Sequence, residues 1–360
     1  MASKRQIKVG SLLIGGGAPV SVQTMANVDP HDAAALIEQV TLCAERGCEV
    51  FRLTVPDIEA AKTLGEVKKR SPIPLVADIH FDYRCALAAI AAGTGALRLN
   101  PGNIGGRDRV AEVARAAKAA GTPIRIGVNL GSLEKDLRER MKPAAERISV
   151  ADVLCESAMS HVAMLEAEGF YDIAISAKAS NVPDTLAVYR RLAETTDYPL
   201  HLGVTEAGTL IPGAVRNSVA LGILLSEGIG DTIRVSLTAK PEKEVKVALE
   251  ILRSLGLREP GPAITSCPTC GRTKVDLQRI ATQLEDALET LYHDGTWRGR
   301  RFPHVAVMGC AVNGPGEAKG ADIALCGGKG EFLLFVKGEP VGKLKEEDAV
   351  RKVIEYAVHL

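Results

Sequence analysis

A short β-branched run, a polar loop and a longer Ala/Leu/Glu/Lys-rich segment recur eight times in the first 256 residues, and this repetition constrains the fold more than anything else in the chain. Strands are expected at Val20–Met25, Glu49–Thr54, Pro74–Ile79, Ala96–Asn100, Ile124–Asn129, Asp172–Ala177, Leu200–Val204 and Thr232–Leu237. Helices are expected at Asp32–Arg46, Ile58–Lys69, Tyr83–Ala92, Arg107–Ala120, Val150–Glu168, Thr185–Thr195, Gly208–Ser226 and Glu242–Leu255, with an extra one over Leu133–Met141. Eight alternations joined by right-handed crossovers give an α/β fold, a (β/α)8 TIM-type barrel. A doubly wound open sheet is the alternative. No G-x-G-x-x-G follows the first strand, so its dinucleotide-binding form has little support. Gly15-Gly16-Gly17 reads as a turn ahead of the first barrel strand.

Glu259-Pro260-Gly261-Pro262 breaks the alternation and reads as a linker, residues 259–262. It separates a barrel domain, 1–258, from a small α+β domain, 263–360. In the second domain the patterns give a helix over Val275–Tyr292 and strands at His304–Met308 and Ala321–Leu325. A hairpin, Glu331–Val336 with Glu339–Leu344, and a closing helix over Glu346–Ala357 follow. His304–Met308, taken as the first strand, is expected to deliver Cys310 to the edge of a sheet, beside the other cysteine pair.

Chemistry in such barrels lies at the C-terminal ends of the strands. Those ends carry Arg52, Arg98, Arg125, Lys178 and Arg234, five cations in a chain whose Lys plus Arg and Asp plus Glu both number 44. Any one of them could neutralise Asp78 or Glu206. All five together suit a multiply charged phosphate ligand, because buried unpaired cations are costly and Arg contacts phosphate bidentately. The glycine loops Asn100–Gly106 and Asn129–Ser132 add backbone N–H groups at helix starts. Glu206 is an acid/base candidate. His80 and His201 are read as scaffold residues as readily as functional ones.

The second domain holds the other chemistry. Cys267 and Cys270 sit in Ser266-Cys267-Pro268-Thr269-Cys270-Gly271-Arg272, and Cys310 and Glu317 in Gly309-Cys310-Ala311-Val312-Asn313-Gly314-Pro315-Gly316-Glu317. Three thiolates on glycine- and proline-bearing turns plus one more ligand would complete a four-coordinate site for zinc or an iron–sulfur cluster. Cys43, Cys48, Cys85 and Cys155 fall in or beside helical patterns and read as small core residues, and Cys326 as structural. Eight cysteines over this length are no disulfide framework.

The balanced charge argues against nucleic-acid or membrane partners, and the 4% aromatic content against stacking platforms for single strands. No apolar run reaches the ~18 residues of a membrane span and no signal-peptide core follows the basic N-terminus, so a cytoplasmic protein is expected. The eighth barrel helix, rising ~21 Å, ends at the face opposite the mouth. The second domain therefore starts on the wrong side of its own barrel, and a head-to-tail homodimer, each second domain covering the other's mouth, is expected.

Together with Val76–Arg84 and Leu97–Gly105, the two cysteine motifs resemble those of the 4-hydroxy-3-methylbut-2-en-1-yl diphosphate synthases in their short bacterial two-domain form, over essentially the whole chain. The resemblance implies a [4Fe–4S] cluster on Cys267, Cys270 and Cys310 with Glu317 as fourth ligand. It implies a cyclic diphosphate substrate, 2-C-methyl-D-erythritol 2,4-cyclodiphosphate, opened and dehydroxylated by two electrons from flavodoxin or ferredoxin, and an active site shared within a homodimer. It gives Arg52, His80, Arg98, Arg125, Asn129, Ser132, Lys178, Arg234 and Ser266 to substrate binding, and Glu206 and Glu317 to catalysis. The rivals are a zinc-dependent phosphate-ester lyase or aldolase, and a barrel-based binding protein with a zinc-ribbon-like module. A structural zinc site would normally take Cys or His in the last position.

Overall fold

The computed structural model describes residues 3–140, 149–259, 261, 264–293, 295–297, 300–312 and 314–360. It divides into two compact units, Met1–Arg258 and Glu259–Leu360.

The first unit opens with an element the repeat did not foretell. β1 (Gln6–Val9) and β2 (Leu12–Gly15) pair antiparallel as a hairpin, and Gly15 ends it at φ +84°, where a Cβ would lie 2.5 Å from the Arg5 carbonyl. Then come the alternations: β3 (Ser21–Met25), α1 (Ala33–Glu45), β4 (Val50–Thr54), α2 (Ile58–Arg70), β5 (Leu75–Asp78), α3 (Tyr83–Ala91), β6 (Ala96–Leu99), α4 (Arg107–Ala120) and β7 (Ile124–Asn129). A 3-10 turn, Leu130–Ser132, leads to α5 (Lys135–Arg140), which covers most of the expected extra helix; Met141 lies outside the described residues. α6 (Val150–Ala167), β8 (Ile173–Lys178), α7 (Val182–Thr195), β9 (His201–Leu202), α8 (Leu210–Ser226), β10 (Thr232–Ile233) and α9 (Pro241–Ser254) complete the unit. β9 and β10 are shorter than the β-branched runs suggested, because the chain beyond residue 202 and residue 233 leaves the ladder to form the mouth loops.

All eight barrel strands pair parallel in the order β8-β7-β6-β5-β4-β3-β10-β9. A bridge between Ile175 and Leu200 joins the first strand of that order to the last, closing the barrel. Helix starts are capped as the sequence prescribes. Asp32, Asp57 and Asp82 accept backbone N–H bonds at α1, α2 and α3, Asn181 does so at α7, and Ser149 forms a capping box with Asp152 at α6. Each such cap is worth about 1 kcal/mol.

Strand parity decides what faces inward. Outward residues such as Phe51, Leu53, Leu97, Ile126 and Ile175 are buried under the helices. Inward, the lowest layer is apolar. Val50, Val76, Ala96 and Ala174 pack against Ile7, Val9 and Ile14 of the hairpin, which seals the N-terminal end of the barrel. Above that layer the inward positions turn polar.

The second unit has its own core. β11 (Ile264–Ser266), α10 (Leu277–His293), β12 (Val305–Met308), α11 (Gly314–Glu317), β13 (Ile323–Gly327), β14 (Glu331–Val336), β15 (Glu339–Lys345) and α12 (Ala349–His359) follow in sequence. The sheet runs β11-β12-β13-β14-β15, parallel through β13 and antiparallel after it. Leu277, Ile280, Leu284 and Leu288 of α10 join Ala349, Val353 and Ala357 of α12 in one core with Val305, Val307, Ile323 and Leu325 of the sheet. β12 therefore lies inside the sheet. The edge belongs to β11, a three-residue strand too short to show in the sequence pattern. Of the linker, Pro260 and Pro262 lie outside the described residues.

Candidate functional site

The polar layer of the barrel is built by alternation. Arg52 on β4 lies between outward Phe51 and Leu53. Asp78 ends β5, Arg98 pairs with Asp78 across β5 and β6, and Arg125 pairs with Arg98 across β6 and β7. Lys178 ends β8 opposite Asn129, and Arg234 directly follows β10.

The cations are unequally served. Asp78, almost fully buried, takes Arg98 Nη1 at 3.1 Å and Arg52 Nε at 3.5 Å, with His80 Nε2 at 3.9 Å. Burial alone would raise its pKa, but Arg52 and Arg98 outweigh burial and hold the carboxyl below its ordinary value. Arg234 is held by Glu244 at 3.2 Å, and Glu244 also accepts from Thr24 Oγ1 at 2.6 Å and from the Leu237 N–H at 2.9 Å. Among the described residues Arg125 has no carboxylate partner. Its Nη1 reaches Gln23 Oε1 at 2.5 Å and His201 Nδ1 at 3.3 Å, while its Nε and Nη2 are buried without a hydrogen-bond partner, as is His201 Nε2.

Burial, then repulsion from Arg52 and Arg98, pushes Arg125 well below its ordinary pKa. Burial, then Arg234, Arg52 and Arg125, does the same to Lys178, and burial with its neighbours brings Arg52 down to about 10. His201 is pushed well down, first by burial and then by Arg125 and Lys178, and is neutral. Five cations thus face two carboxylates in a low-dielectric barrel, a strong demand for a multiply charged anion.

A cavity of about 420 Å³ opens above this layer, lined by Arg52, Asp78, His80, Arg98 and Asn129 among others. Two inward glycines make the packing possible. A Cβ on Gly127 would lie 2.1 Å from Arg98 Nε, and one on Gly203 would lie 2.6 Å from both Lys178 Nζ and the Arg234 carbonyl. Strand-end polarity did not point to these glycines or to Glu244. Glycine at an inward strand position, and Glu244 within the buried Pro241/Glu244/Val245/Ala248 stripe of α9, are the signals that could have found them.

The remaining expected residues fall as follows. His80 is half-exposed at the rim, Asn129 lines the cavity, and the Ser132 side chain lies outside the described residues. Glu206 is exposed in the loop between β9 and α8 at φ +54°, a left-handed conformation that a non-glycine residue adopts only under constraint. Ser266 belongs to the second unit, exposed at the end of β11.

In the second unit, β11 and β12 end side by side and each runs straight into a cysteine turn. The Cys267 N–H meets the Val307 carbonyl at 3.4 Å, and the Gly309 N–H donates to Cys267 Sγ at 3.2 Å. The Lys274 N–H donates to the Gly309 carbonyl at 3.3 Å, tying the two turns together. Glycine is required here too: a Cβ on Gly309 would strike Thr273 Oγ1 at 2.8 Å, and one on Gly327 would strike the Gly309 carbonyl at 2.7 Å.

Cys267 and Cys310 are half-buried and Cys270 is exposed, whereas Cys43, Cys48, Cys85, Cys155 and Cys326 are buried. The Arg272 backbone N–H and guanidinium hold the Cys270 thiol below its ordinary pKa. Among the described residues no three such side chains already stand together as a metal-holding group. Asn313 and the Glu317 side chain lie outside the described residues. The donor set still fits a thiolate-ligated metal centre: three free thiols on neighbouring turns of one sheet end, with a backbone N–H already aimed at a sulfur.

Relatives agree with both halves. The GcpE TIM-barrel domain model matches residues 4–249, and the GcpE protein C-terminal domain model matches residues 263–359. The 4-hydroxy-3-methylbut-2-en-1-yl diphosphate synthase (flavodoxin) of Maridesulfovibrio salexigens is 54% identical over 344 residues, covering 96% of this chain and 92% of the relative. The protein of the same description from Ruminiclostridium cellulolyticum is 52% identical over 351 residues, covering 98% and 96%. Among solved structures, Yersinia pestis dihydropteroate synthase superposes with a TM-score of 0.52 at 14% identity, over 71% of this chain and 98% of that one, a likeness of fold alone. With both domain models matched in order and about half of all residues shared along nearly its whole length, the chain belongs to the GcpE family, that of the 4-hydroxy-3-methylbut-2-en-1-yl diphosphate synthases.

Proposed function

We propose that this chain converts 2-C-methyl-D-erythritol 2,4-cyclodiphosphate to (E)-4-hydroxy-3-methylbut-2-enyl diphosphate, the reaction its relatives are named for. Two electrons and the accompanying protons open the ring and release one hydroxyl as water. The observation that carries this is the barrel interior, where, among the described residues, Arg52, Arg98, Arg125, Lys178 and Arg234 share only Asp78 and Glu244. A cyclic diphosphate supplies the missing negative charge.

Arg52, Arg98, Arg125 and Lys178 hold the diphosphate and stabilise the charge that develops on it as the ring opens. Arg234, already bound to Glu244, steers rather than binds tightly. Asn129 and Ser132 add neutral contacts, His80 and Ser266 also contact the substrate, and Glu206 delivers the proton that leaves with the hydroxyl. Cys267, Cys270, Cys310 and Glu317 would hold a [4Fe–4S] cluster, which when bound supplies low-potential electrons one at a time. A carboxylate is a harder and more replaceable ligand than a thiolate, which suits Glu317 to the one position that opens.

The electron donor is flavodoxin, after the relatives' descriptions, and the setting is the cytoplasm, where thiols stay reduced. No helix among the described residues is long and apolar enough to cross a membrane.

The active unit is a homodimer. The end of the first unit is fixed far from the mouth: Arg258 Nη2 donates to the Val20 carbonyl at 2.8 Å and to Glu49 Oε2 at 2.5 Å, both at the N-terminal ends of strands. The first unit therefore ends at the sealed face, which supports the reading that a second copy's cysteine turns serve each mouth. Anaerobically purified protein should be brown, absorb near ~400 nm and convert the cyclic diphosphate. Colourless, zinc-loaded, active protein would overturn the proposal.

A further inference from the structure

Two loops form one side of the cavity above the cation layer. Asn100–Gly106, after β6, lines it with Asn100 and Asn103, and the turn after β7 lines it with Asn129 and Gly131. Behind these loops lies a second cavity of about 400 Å³, lined by Gly102, Gly105, Glu134, Leu137, Ser160 and His161 among others. Loops with empty space at their backs can retreat into it unless something holds them forward.

α6 supplies that hold. Ser157 and His161, four residues apart and so on one face of the helix, are fully buried, and both meet Glu134, which closely follows the second loop. Ser157 Oγ donates to Glu134 Oε2 at 2.9 Å, and His161 Nε2 stands 2.8 Å from Glu134 Oε1, close but off the line of a hydrogen bond. The same nitrogen meets the first loop, since a Cβ on Gly102 would lie 2.7 Å from it. The Gly102 N–H in turn donates to Asn100 Oδ1 at 3.0 Å. On the second loop, Arg138 Nη2 donates to the Gly131 carbonyl at 3.1 Å and to the Leu133 carbonyl at 3.3 Å, so that the turn and Glu134 move as one piece.

Stability does not account for this arrangement. His161 Nδ1 is buried with no partner among the described residues, and burial, opposed by Glu134, brings the imidazole below its ordinary pKa. A bare buried nitrogen costs stability that a leucine in its place would not. We propose that His161 is a positioning residue for the substrate site. With Ser157 it fixes Glu134, and against Gly102 it seats the Asn100–Gly106 loop, so that Asn100, Asn103 and Asn129 stand at contact distance from the bound cyclic diphosphate. The inference rests on the reaction proposed above and concerns how substrate is held, not the electron path.

The test compares holoenzymes in anaerobic turnover of the cyclic diphosphate, with a thermal melt and the cluster absorbance alongside. His161→Leu should raise KM about 10-fold, the loss of one hydrogen-bonded contact, while kcat moves less than about 2-fold. Its melt should hold or rise, because the bare nitrogen is gone and Glu134, 31% exposed, can turn to water. His161→Gln, whose amide nitrogen falls near the place of Nε2, should restore KM to within about 2-fold of wild type. Gly102→Ala should raise KM as His161→Leu does, acting from the loop's side. Glu134→Ala joined to His161→Leu should be no worse than either alone, about 10-fold and not the product of about 100-fold that independent sites would give. Cys155→Ala, on the same helix but facing the Val188 carbonyl, should lower the melt and leave KM unchanged. Wild-type KM in both His161→Leu and Gly102→Ala would overturn the positioning role and leave the reaction standing, as would equal losses of melt and KM in His161→Leu and Cys155→Ala. A wild-type holoenzyme that does not turn over the cyclic diphosphate would overturn both.

Discussion

Replacing Gly127 by Ala tests whether the cation layer is the substrate site. Gly127 faces into the barrel between Arg125 and Asn129, and its new Cβ would lie 2.1 Å from Arg98 Nε and 2.6 Å from Cζ and Nη2. Ordinary contact begins near 3.4 Å, so the guanidinium must retreat by more than about 1 Å. Arg98 is the mobile party, so the backbone and the fold survive. What is lost is the 3.1 Å bond to Asp78 and the 3.3 Å bond to the Gly127 carbonyl, together with the position of Arg98 in the cavity wall. A charged hydrogen bond is worth about 1.5–3 kcal/mol, which corresponds to a rise in KM of about 10–100-fold. The assay is anaerobic product formation against substrate concentration, with a thermal melt alongside. KM should rise by that factor, kcat should move less, and the melt should fall by only a few degrees. Gly222→Ala, on α8 with nothing within 4 Å of its Cβ, is the matched control. A Gly127→Ala enzyme with wild-type KM, or equal losses in both variants, would refute the placement of the diphosphate against Arg98.

Asp78→Asn leaves Arg52 and Arg98 without their carboxylate and should destabilise the first unit by about 3–5 kcal/mol in urea titrations. Added pyrophosphate should recover part of that loss. His201 binds no proton when folded but does so near 6.5 when unfolded, so the unfolded state takes up the extra proton below that pH. Its contribution to stability is full above about 6.5 and falls as the pH drops, and His201→Phe should flatten that limb of a stability-against-pH curve. Stripping the cluster with a chelator should expose three thiols, Cys267, Cys270 and Cys310, to maleimide under native conditions, counted by intact mass, while the five buried cysteines stay unlabelled. Glu317→Cys should retain the cluster absorbance and lose turnover; full activity would show that the fourth ligand never opens.

Much of this molecule can be read from its residues because the barrel repeats one unit. Each strand's β-branched run, and the Asp or Asn caps of α1, α2, α3 and α7, are local chemistry, visible without neighbours. Arg52, Arg98 and Arg125 could be placed near the mouth by counting along strands. That they point inward follows from parity with Phe51, Leu97 and Ile126. Partnerships between distant segments are not visible in this way. Glu244 meets Arg234 from a helix and Thr24 from a strand 220 residues earlier, which no local pattern encodes. The hairpin lies outside the repeating unit, since no helix follows either of its strands, and β11 is only three residues long. The cysteine turns were legible as motifs, but only the sheet order reveals that β11, not β12, lies at the edge.

The hairpin has a kinetic consequence. With Ile7, Val9 and Ile14 plugging the floor, the space left between hairpin and polar layer is about 20 Å³, room for about one water. The barrel is a vessel with one opening. Substrate and product must use the same doorway in turn, and no second molecule can queue behind the first. Whatever covers that doorway during the reaction also detains the product, so uncovering it sets an upper limit on turnover however fast the bonds break. Conditions that loosen the cover, not those that speed electron delivery, would then raise the maximal rate.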